Sequence, residues 1–263
     1  MPSVLLTRPR VRTDVEDVLH TMLRAAGVEI VELPMLNFEM TRETEELDLA
    51  FQAAARGEYH AIVLSSPTAV HFFVEHANEL GLATALKLKA KLAAVGRATS
   101  DALAVFGYET ELPVPAHAGS HQLAAMLAES GVAGKRILLL QSQLGLDILE
   151  HALTEAGAMV ERVIMYYTKG PSLGDSARLL NMLEGKKRPE VIAFFSPSAV
   201  MYFIRSLAEM NSALIRDLPA LATIGETTAK AVEETLRRRP EIVARKSDQK
   251  SLAEDILTYL GLG

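Results

Sequence analysis

Two serines stand at the same kind of junction in this chain. IVLSSPTAVHFFV, residues 62–74, is a β-branched and apolar run that ends in Ser-Pro and then takes a helical period. IAFFSPSAVMYFI, residues 192–204, repeats it about 130 residues later. The chemistry on offer is hydrogen bonding. Ser66 and Ser196 can cap helices through their hydroxyls, and Pro67 and Pro197 sit where a first helical turn has no N–H to lose. Each junction then becomes a strand that opens onto a helix N-terminus carrying free amide donors, which is a place for an anion.

Other small polar residues fall at the carboxyl ends of expected strands, where open α/β sheets bind ligands. They are Thr7 and Arg8, Ser65, Ser66 and Thr68, Gly96 and Thr99, Gln141 and Ser142, Ser196 and Ser198, and Gly225, Thr227 and Thr228. Helix capping accounts for any one hydroxyl taken alone. As a set they describe a surface that reads shape and negative charge, because glycine admits close backbone approach and hydroxyls add donors without bulk.

More aggressive chemistry has little to work with. VGRAT (95–99) and IGETT (224–228) are neither GxGxxG nor GxxxxGKS, which disfavours a dinucleotide or nucleoside triphosphate enzyme. His117 and His121 have i,i+4 spacing but straddle a loop and a cap, and His71 and His76 lie five apart on one helix, off a common face. No GxSxG elbow is present. The sequence has no cysteine, so disulfides, thiolate catalysis and thiolate metal sites are excluded.

The elements that must hold these residues follow from periodicity. Strands are expected at 3–9, 28–33, 61–65, 92–95, 109–112, 136–141, 160–168, 190–196, 221–224 and 241–244. Helices are expected between them, the first capped by Thr13 or Asp14 and another, at 122–130, capped by Ser120. Four segments recur in order at a nearly constant offset: LHTMLRAAG with LEHALTEAG, the two Ser-Pro stretches, LAAVGRATSDAL with LATIGETTAKAV, and the helices at Leu123 and Leu252. Duplication of one five-stranded unit follows. Alternating strands and helices imply two doubly wound parallel-sheet α/β domains of flavodoxin-like type. Residues 33–40 and 163–169 are extended at equivalent places in the repeat. Pairing them as a two-stranded β-ladder gives domain one as 1–34 with 170–263, domain two as 41–162, and a ribbon of 35–40 and 163–169. Tyr166 and Tyr167 then point to opposite sides of that ribbon.

The 263 residues carry a formal net charge of −6, and the basic block Arg237 to Arg239 closes an expected helix. Nucleic acid is therefore an unexpected partner. The first residues show no basic region followed by an apolar one, and no apolar run approaches the ~18 residues of a membrane span. A cytoplasmic protein without membrane contact is expected.

The Ser-Pro pair, the VGRAT and IGETT pair, the run ending in Tyr166-Tyr167-Thr168 and the TRP start together resemble the uroporphyrinogen-III synthase family over nearly the whole chain. The resemblance implies two flavodoxin-like domains joined by a two-stranded ladder, and a cofactor-free lyase of tetrapyrrole biosynthesis. That lyase closes hydroxymethylbilane, which carries eight carboxylates, to uroporphyrinogen III with ring D inverted. Nothing in the sequence demands a dimer, so a monomer is expected, and the resemblance allows a handover of substrate from hydroxymethylbilane synthase. The family's cleft tyrosine, in a Tyr-x-Thr context, maps on Tyr166, and its cleft hydroxyls map on Ser66, Thr99, Ser196, Ser198, Thr227 and Thr228. Some relatives carry a basic residue just after the first Ser-Pro, where this chain has Thr68. The residues alone equally allow a non-catalytic two-domain module that closes on an anion, as solute-binding and sensor proteins do.

Overall fold

Strands and helices alternate along most of the chain. The computed structural model describes residues 1–9, 17–42, 44–110, 120–145 and 147–263. Its first half runs β1 (Ser3–Leu6), α1 (Val18–Ala25), β2 (Glu29–Glu32), β3 (Asn37–Met40), α2 (Thr44–Arg56), β4 (Ala61–Leu64), α3 (Pro67–Glu79), α4 (Ala83–Lys89), β5 (Leu92–Ala94), α5 (Arg97–Val105) and α6 (Ser120–Glu129). The second half runs β6 (Arg136–Ser142), α7 (Ile148–Glu155), β7 (Met159–Lys169), α8 (Leu173–Glu184), β8 (Val191–Phe194), α9 (Pro197–Met210), β9 (Ala220–Thr223), α10 (Glu226–Leu236), β10 (Ile242–Val243) and α11 (Gln249–Tyr259).

These elements form two compact units, one from Met1–Asn37 with Lys169–Gly263 and one from Phe38–Thr168. The first holds a sheet in the order β10-β9-β8-β1-β2, parallel throughout. The second is built on β3-β7-β6-β4-β5, parallel from β7 to β5, and Thr110 adds a further parallel bridge to Leu92. Numbered within the first unit, the strands lie 2-1-3-4-5, the flavodoxin-like order. In the second unit β7-β6-β4-β5 and Thr110 give the same order, with β6 and β7 taking the first two places. Along the outer edge, β3 runs against β7. The Thr41 N–H donates to the Met165 carbonyl (3.0 Å) and the Asn37 side-chain amide to the Gly170 carbonyl (3.2 Å), so rising numbers meet falling ones.

The central strands are buried on both faces, as a parallel sheet covered by helices requires. In β4 every residue is buried: Ile62 and Leu64 pack with Phe51 and Phe73, while Val63 packs on the other side with Leu123 and Leu149. Leu47, Ala50, Phe51 and Ala54 bring one face of α2 to the first of these layers at helical spacing.

The two Ser-Pro corners are copies in three dimensions. Ser66 has φ −159° and ψ 161°, Ser196 has φ −160° and ψ 156°, and each hydroxyl accepts the N–H of the residue three on, at 3.1 Å from Ala69 and 3.2 Å from Ala199. Burial follows the same pattern residue by residue from 61 to 70 and from 191 to 200.

Several sequence expectations change. Asp17 caps the first helix, accepting from the Leu19 N–H (3.0 Å). The expected caps Thr13 and Asp14 lie outside the described residues, as does His117. Helix α4 and a 3-10 turn at Ser212–Asp217 were not expected. Only Leu86 of α4 is buried and no side chain caps it, so it leaves no periodic signal. The extended run 33–40 is not one strand. The N–H groups of Leu33 and Met35 follow the end of β1, donating to Leu6 and Thr7, and β3 starts only at Asn37. Within 109–112, Thr110 forms a single bridge and residues 111–112 lie outside the described residues. Arg237 closes α10 in the left-handed conformation (φ 53°).

Replacing the second cap, Ser196→Ala, is expected to lower unfolding free energy by about 1 kcal/mol. Urea titration of that variant beside the parent chain measures it. A loss under ~0.2 kcal/mol would show that the Ser-Pro corner holds its shape without the hydroxyl.

Candidate functional site

In a doubly wound sheet the ligand crevice lies outside the carboxyl ends of the strands, where the strand order reverses. That point falls between β6 and β4 in the second unit and between β1 and β8 in the first. The residues read from the sequence gather at these two edges.

At the second-unit edge, Ser66 follows β4 and Ser142 ends β6. Tyr166, on the neighbouring strand β7, brings its hydroxyl to 3.0 Å from the Ser66 hydroxyl. Its ring stacks on Phe72 (centroids 5.1 Å apart) and meets Phe38 edge-on (5.8 Å), leaving the residue 5% exposed. Burial pushes the Tyr166 phenol above its ordinary value, and hydrogen bonding to the Ser66 and Ser142 hydroxyls acts in the other direction. The phenol is therefore neutral near pH 7 and anchored at a helix N-terminus.

A break in register brings it there. Along β6 and β7, Gln141 faces Ile164 but Ser142 faces Tyr166, so Met165 is an extra residue on β7. Met165 and Tyr166 are buried in succession, against the in-and-out alternation of a regular strand. Beyond the bulge the side chain of Gln143 takes over the pairing. Its Nε2 donates to the Thr168 carbonyl and its Oε1 accepts the Thr168 N–H, both at 2.8 Å. Nothing in the sequence marks Gln143, since the pairing depends on the bulge.

Other residues at this edge differ in access. Ser65, Ser66, Thr68 and Ser142 are partly exposed, whereas Gly96, Thr99 and Gln141 are buried. The Gln141 amide packs so closely on Gly145 that a Cβ there would collide with it. At the Ser-Pro corner, Pro67 has no N–H, the Ala69 N–H goes to the Ser66 hydroxyl and the Val70 N–H to the Ser66 carbonyl. This leaves the Thr68 N–H as the donor of the first turn. Helix α5 starts from Gly96 with no side-chain cap, and Arg97, which sequence reasoning passed over inside VGRAT, is exposed at its first position.

The first-unit edge is arranged alike, with Ser196 and Ser198 partly exposed, Thr227 exposed, and Gly225 and Thr228 buried. Gly225 lies against Ser247, where a Cβ would collide. Two expectations about side-chain availability are corrected here. The Thr7 hydroxyl is fully buried and donates to the Ala193 carbonyl (2.9 Å), tying β1 to β8. Arg8 is 8% exposed, pairs with the Asp17 carboxylate, lies 3.1 Å from His20 Nδ1 and covers the Phe195 ring at 5.3 Å. Burial pulls its pKa down, with Glu32 acting against that.

Tyr167 points away from Tyr166 and lines a cavity of about 700 Å³ with Thr41, Arg42, Glu45, Glu46 and Arg162. The cavity lies on the other face of β7 from the serine corner. Among the described residues, no three His, Asp or Glu side chains lie close enough to hold a metal ion, and no helix is long and apolar enough to cross a membrane.

Comparison with known proteins agrees with this picture. The sequence model of the family described as uroporphyrinogen-III synthase HemD matches residues 17–254. A uroporphyrinogen-III synthase of Chlorobaculum parvum is 26% identical over 99% of this chain and 100% of its own length. A porphyrin biosynthesis protein HemD of Ruminiclostridium josui is also 26% identical, over 98% of this chain but 49% of its own length. Among solved structures, a mutant uroporphyrinogen III synthase from Thermus thermophilus superposes over 100% of both chains with a TM-score of 0.66 at 19% identity, a likeness of fold. The sequence therefore belongs to the uroporphyrinogen-III synthase family of porphyrin-biosynthetic lyases.

Proposed function

We propose that this chain closes hydroxymethylbilane to uroporphyrinogen III with release of water, that Tyr166 assists departure of the hydroxyl, and that the helix N-termini at the strand edge of each unit offer donors for carboxylates. The observation that carries the reading is the bond from Tyr166 to Ser66 at the strand-order reversal of a chain belonging to this family. The family match gives no support to the non-catalytic binding module.

The residues suit the step. Ser66 Oγ already accepts the Ala69 N–H, so its own proton is available to the Tyr166 oxygen. In that arrangement the phenol proton is free to hydrogen-bond the leaving hydroxyl, and the donors behind the phenol oxygen stabilise the charge it gains. As the C–O bond breaks, the Tyr166 proton passes to the departing hydroxyl and water leaves. The resulting pyrrole cation closes through a spiro intermediate that reopens with ring D inverted, and the proton then lost from the ring carbon restores the phenol. A phenol that burial holds above its ordinary pKa of about 10 is a weak acid. That is sufficient, because the substrate cyclises unaided to the wrong isomer and the enzyme's main task is to hold the chain bent. Ser66, Thr68, Ser142, Ser196, Ser198 and Thr227 retain access for that grip. Thr99 and Thr228 serve from within the first helical turns. The reaction asks for no cofactor, and we place it in the cytoplasm, with a monomer as the acting species.

Tyr166→Phe is expected to slow turnover by on the order of a hundredfold and to raise the fraction of the uninverted isomer. Assay with fresh hydroxymethylbilane and isomer separation reads both, and an unchanged rate removes Tyr166 from the mechanism. Ser198→Ala and Thr227→Ala, by contrast, should each cost about tenfold or less, because main-chain donors carry most of the grip. A thousandfold loss at either one overturns that division.

Burial also holds Tyr59 and Tyr108 above the ordinary tyrosine value. As pH climbs past about 10, the unfolded chain releases these phenol protons first. The stabilisation from neutral tyrosines is thus whole below that point and drains away as pH approaches the folded-state values. Urea midpoints are expected to stay level from about pH 8 and to fall above about pH 10, less steeply for Tyr166→Phe. A fall of equal steepness in that variant would mean the phenol titrates alike in both states.

A further inference from the structure

We propose that Gln143 is a positioning residue for Tyr166: its side-chain amide, standing in for a strand backbone, fixes β7 beyond the bulge and so holds the phenol at the Ser66 corner. The proposal rests on the role given to Tyr166 under the proposed function, and its geometry lies wholly within the second unit.

A bulge leaves the strand that carries it free to swing, since ladder bonds on either side no longer share a register. Here the break falls one residue before Tyr166, at the pairing of Ser142 with Tyr166. The chain past the break is nevertheless held. The Gln143 N–H donates to the Tyr166 carbonyl (3.3 Å), and the Gln143 carboxamide then makes both bonds to Thr168 that a neighbouring strand residue would make. Tyr166 and Thr168 are thereby gripped on either side of Tyr167 by one residue. On the far side of β7, the Thr41 N–H holds the Met165 carbonyl (3.0 Å). The segment from Met165 to Thr168 is pinned from both edges, and on the Gln143 edge the hold on Thr168 comes from a side chain. An amide is the one natural group of this length offering a donor and an acceptor side by side. Asparagine is a methylene too short to span the gap, and alanine leaves both Thr168 groups without these bonds.

The test is a double-mutant cycle in turnover. Gln143→Ala is expected to lower kcat about tenfold with KM changed less than twofold, and to cost almost nothing when Tyr166 is already Phe. A general structural role would cost the same in both backgrounds, and that outcome overturns the proposal. If the alanine variant does not fold, Gln143→Glu replaces it. The glutamate keeps the volume and the acceptor for the Thr168 N–H but loses the donor, and the same dependence on Tyr166 is expected.

A second reading separates this idea from the assigned role of Tyr166. Carbon-13 NMR of ring-labelled tyrosine, with the Tyr166 signal assigned by its loss in Tyr166→Phe, reports the phenol's environment without turnover. Gln143→Ala should move that signal toward the position seen in Ser66→Ala, and should speed exchange of the Thr168 amide about tenfold. An unmoved Tyr166 signal overturns the proposal even if Tyr166 proves to be catalytic. A moved signal in a protein whose Tyr166→Phe variant is fully active sustains the positioning and removes the catalytic assignment instead.

Discussion

In a parallel sheet every strand must hand the chain to its covering helix at the same edge, so unsatisfied helix N–H groups accumulate there. This constraint shapes both units. Serine-headed helices α3 and α9 use a hydroxyl for one first-turn amide and a proline to delete another, leaving the Thr68 and Ser198 amides. Glycine-headed helices α5 and α10 have no side-chain cap at all. Each edge therefore combines one closed, rigid corner with one more open helix end. Gly225 serves packing as well as access, since a Cβ there would collide with the Ser247 side chain.

What distinguishes the duplicated units is the strand beside the serine corner. β2 stops at Glu32, and the chain then passes along the end of β1 through Leu33 and Met35. β7 continues for eleven residues, acquires a bulge and carries Tyr166 to Ser66. Ser196 has the same backbone and the same cap as Ser66. In the second unit one inserted residue on β7 thus brings a phenol to the serine corner.

The sequence conveys what depends on local pattern. Apolar runs buried on both faces mark β1, β4, β6, β8 and β9, and the Ser-Pro dipeptides mark two helix starts to the residue. The repeat supports two units, and Tyr166 emerges from a resemblance covering the whole chain. The sequence is silent where long-range contacts decide. Thr7 reads as an available hydroxyl, yet the approach of β8 makes the Ala193 carbonyl its partner. Arg8 reads as a cation at a binding edge, yet Asp17 reaches it from the helix cap. Gln143 reads as nothing, because its role exists only once Met165 has displaced the register. Helix α4 is too short and too exposed to show a period.

The fate of Arg8 bears on the proposal that main-chain donors carry the grip. With a net charge of −6, the protein meets a polycarboxylate at an electrostatic disadvantage, and a buried arginine would be the obvious remedy. Withdrawing Arg8 from Asp17 would break a largely buried ion pair and leave the carboxylate to the Leu19 N–H and His20, and breaking a buried pair costs about 3 kcal/mol or more. Helix N–H groups require no such exchange. They are fixed, they carry about half a positive charge at each helix end, and no internal partner competes for the ones that the serine and glycine caps leave open. Donors of that kind are weak singly and cannot rearrange. A flexible substrate held by several at once gives up its conformational freedom before the reaction starts, which is what choosing one ring closure over another requires.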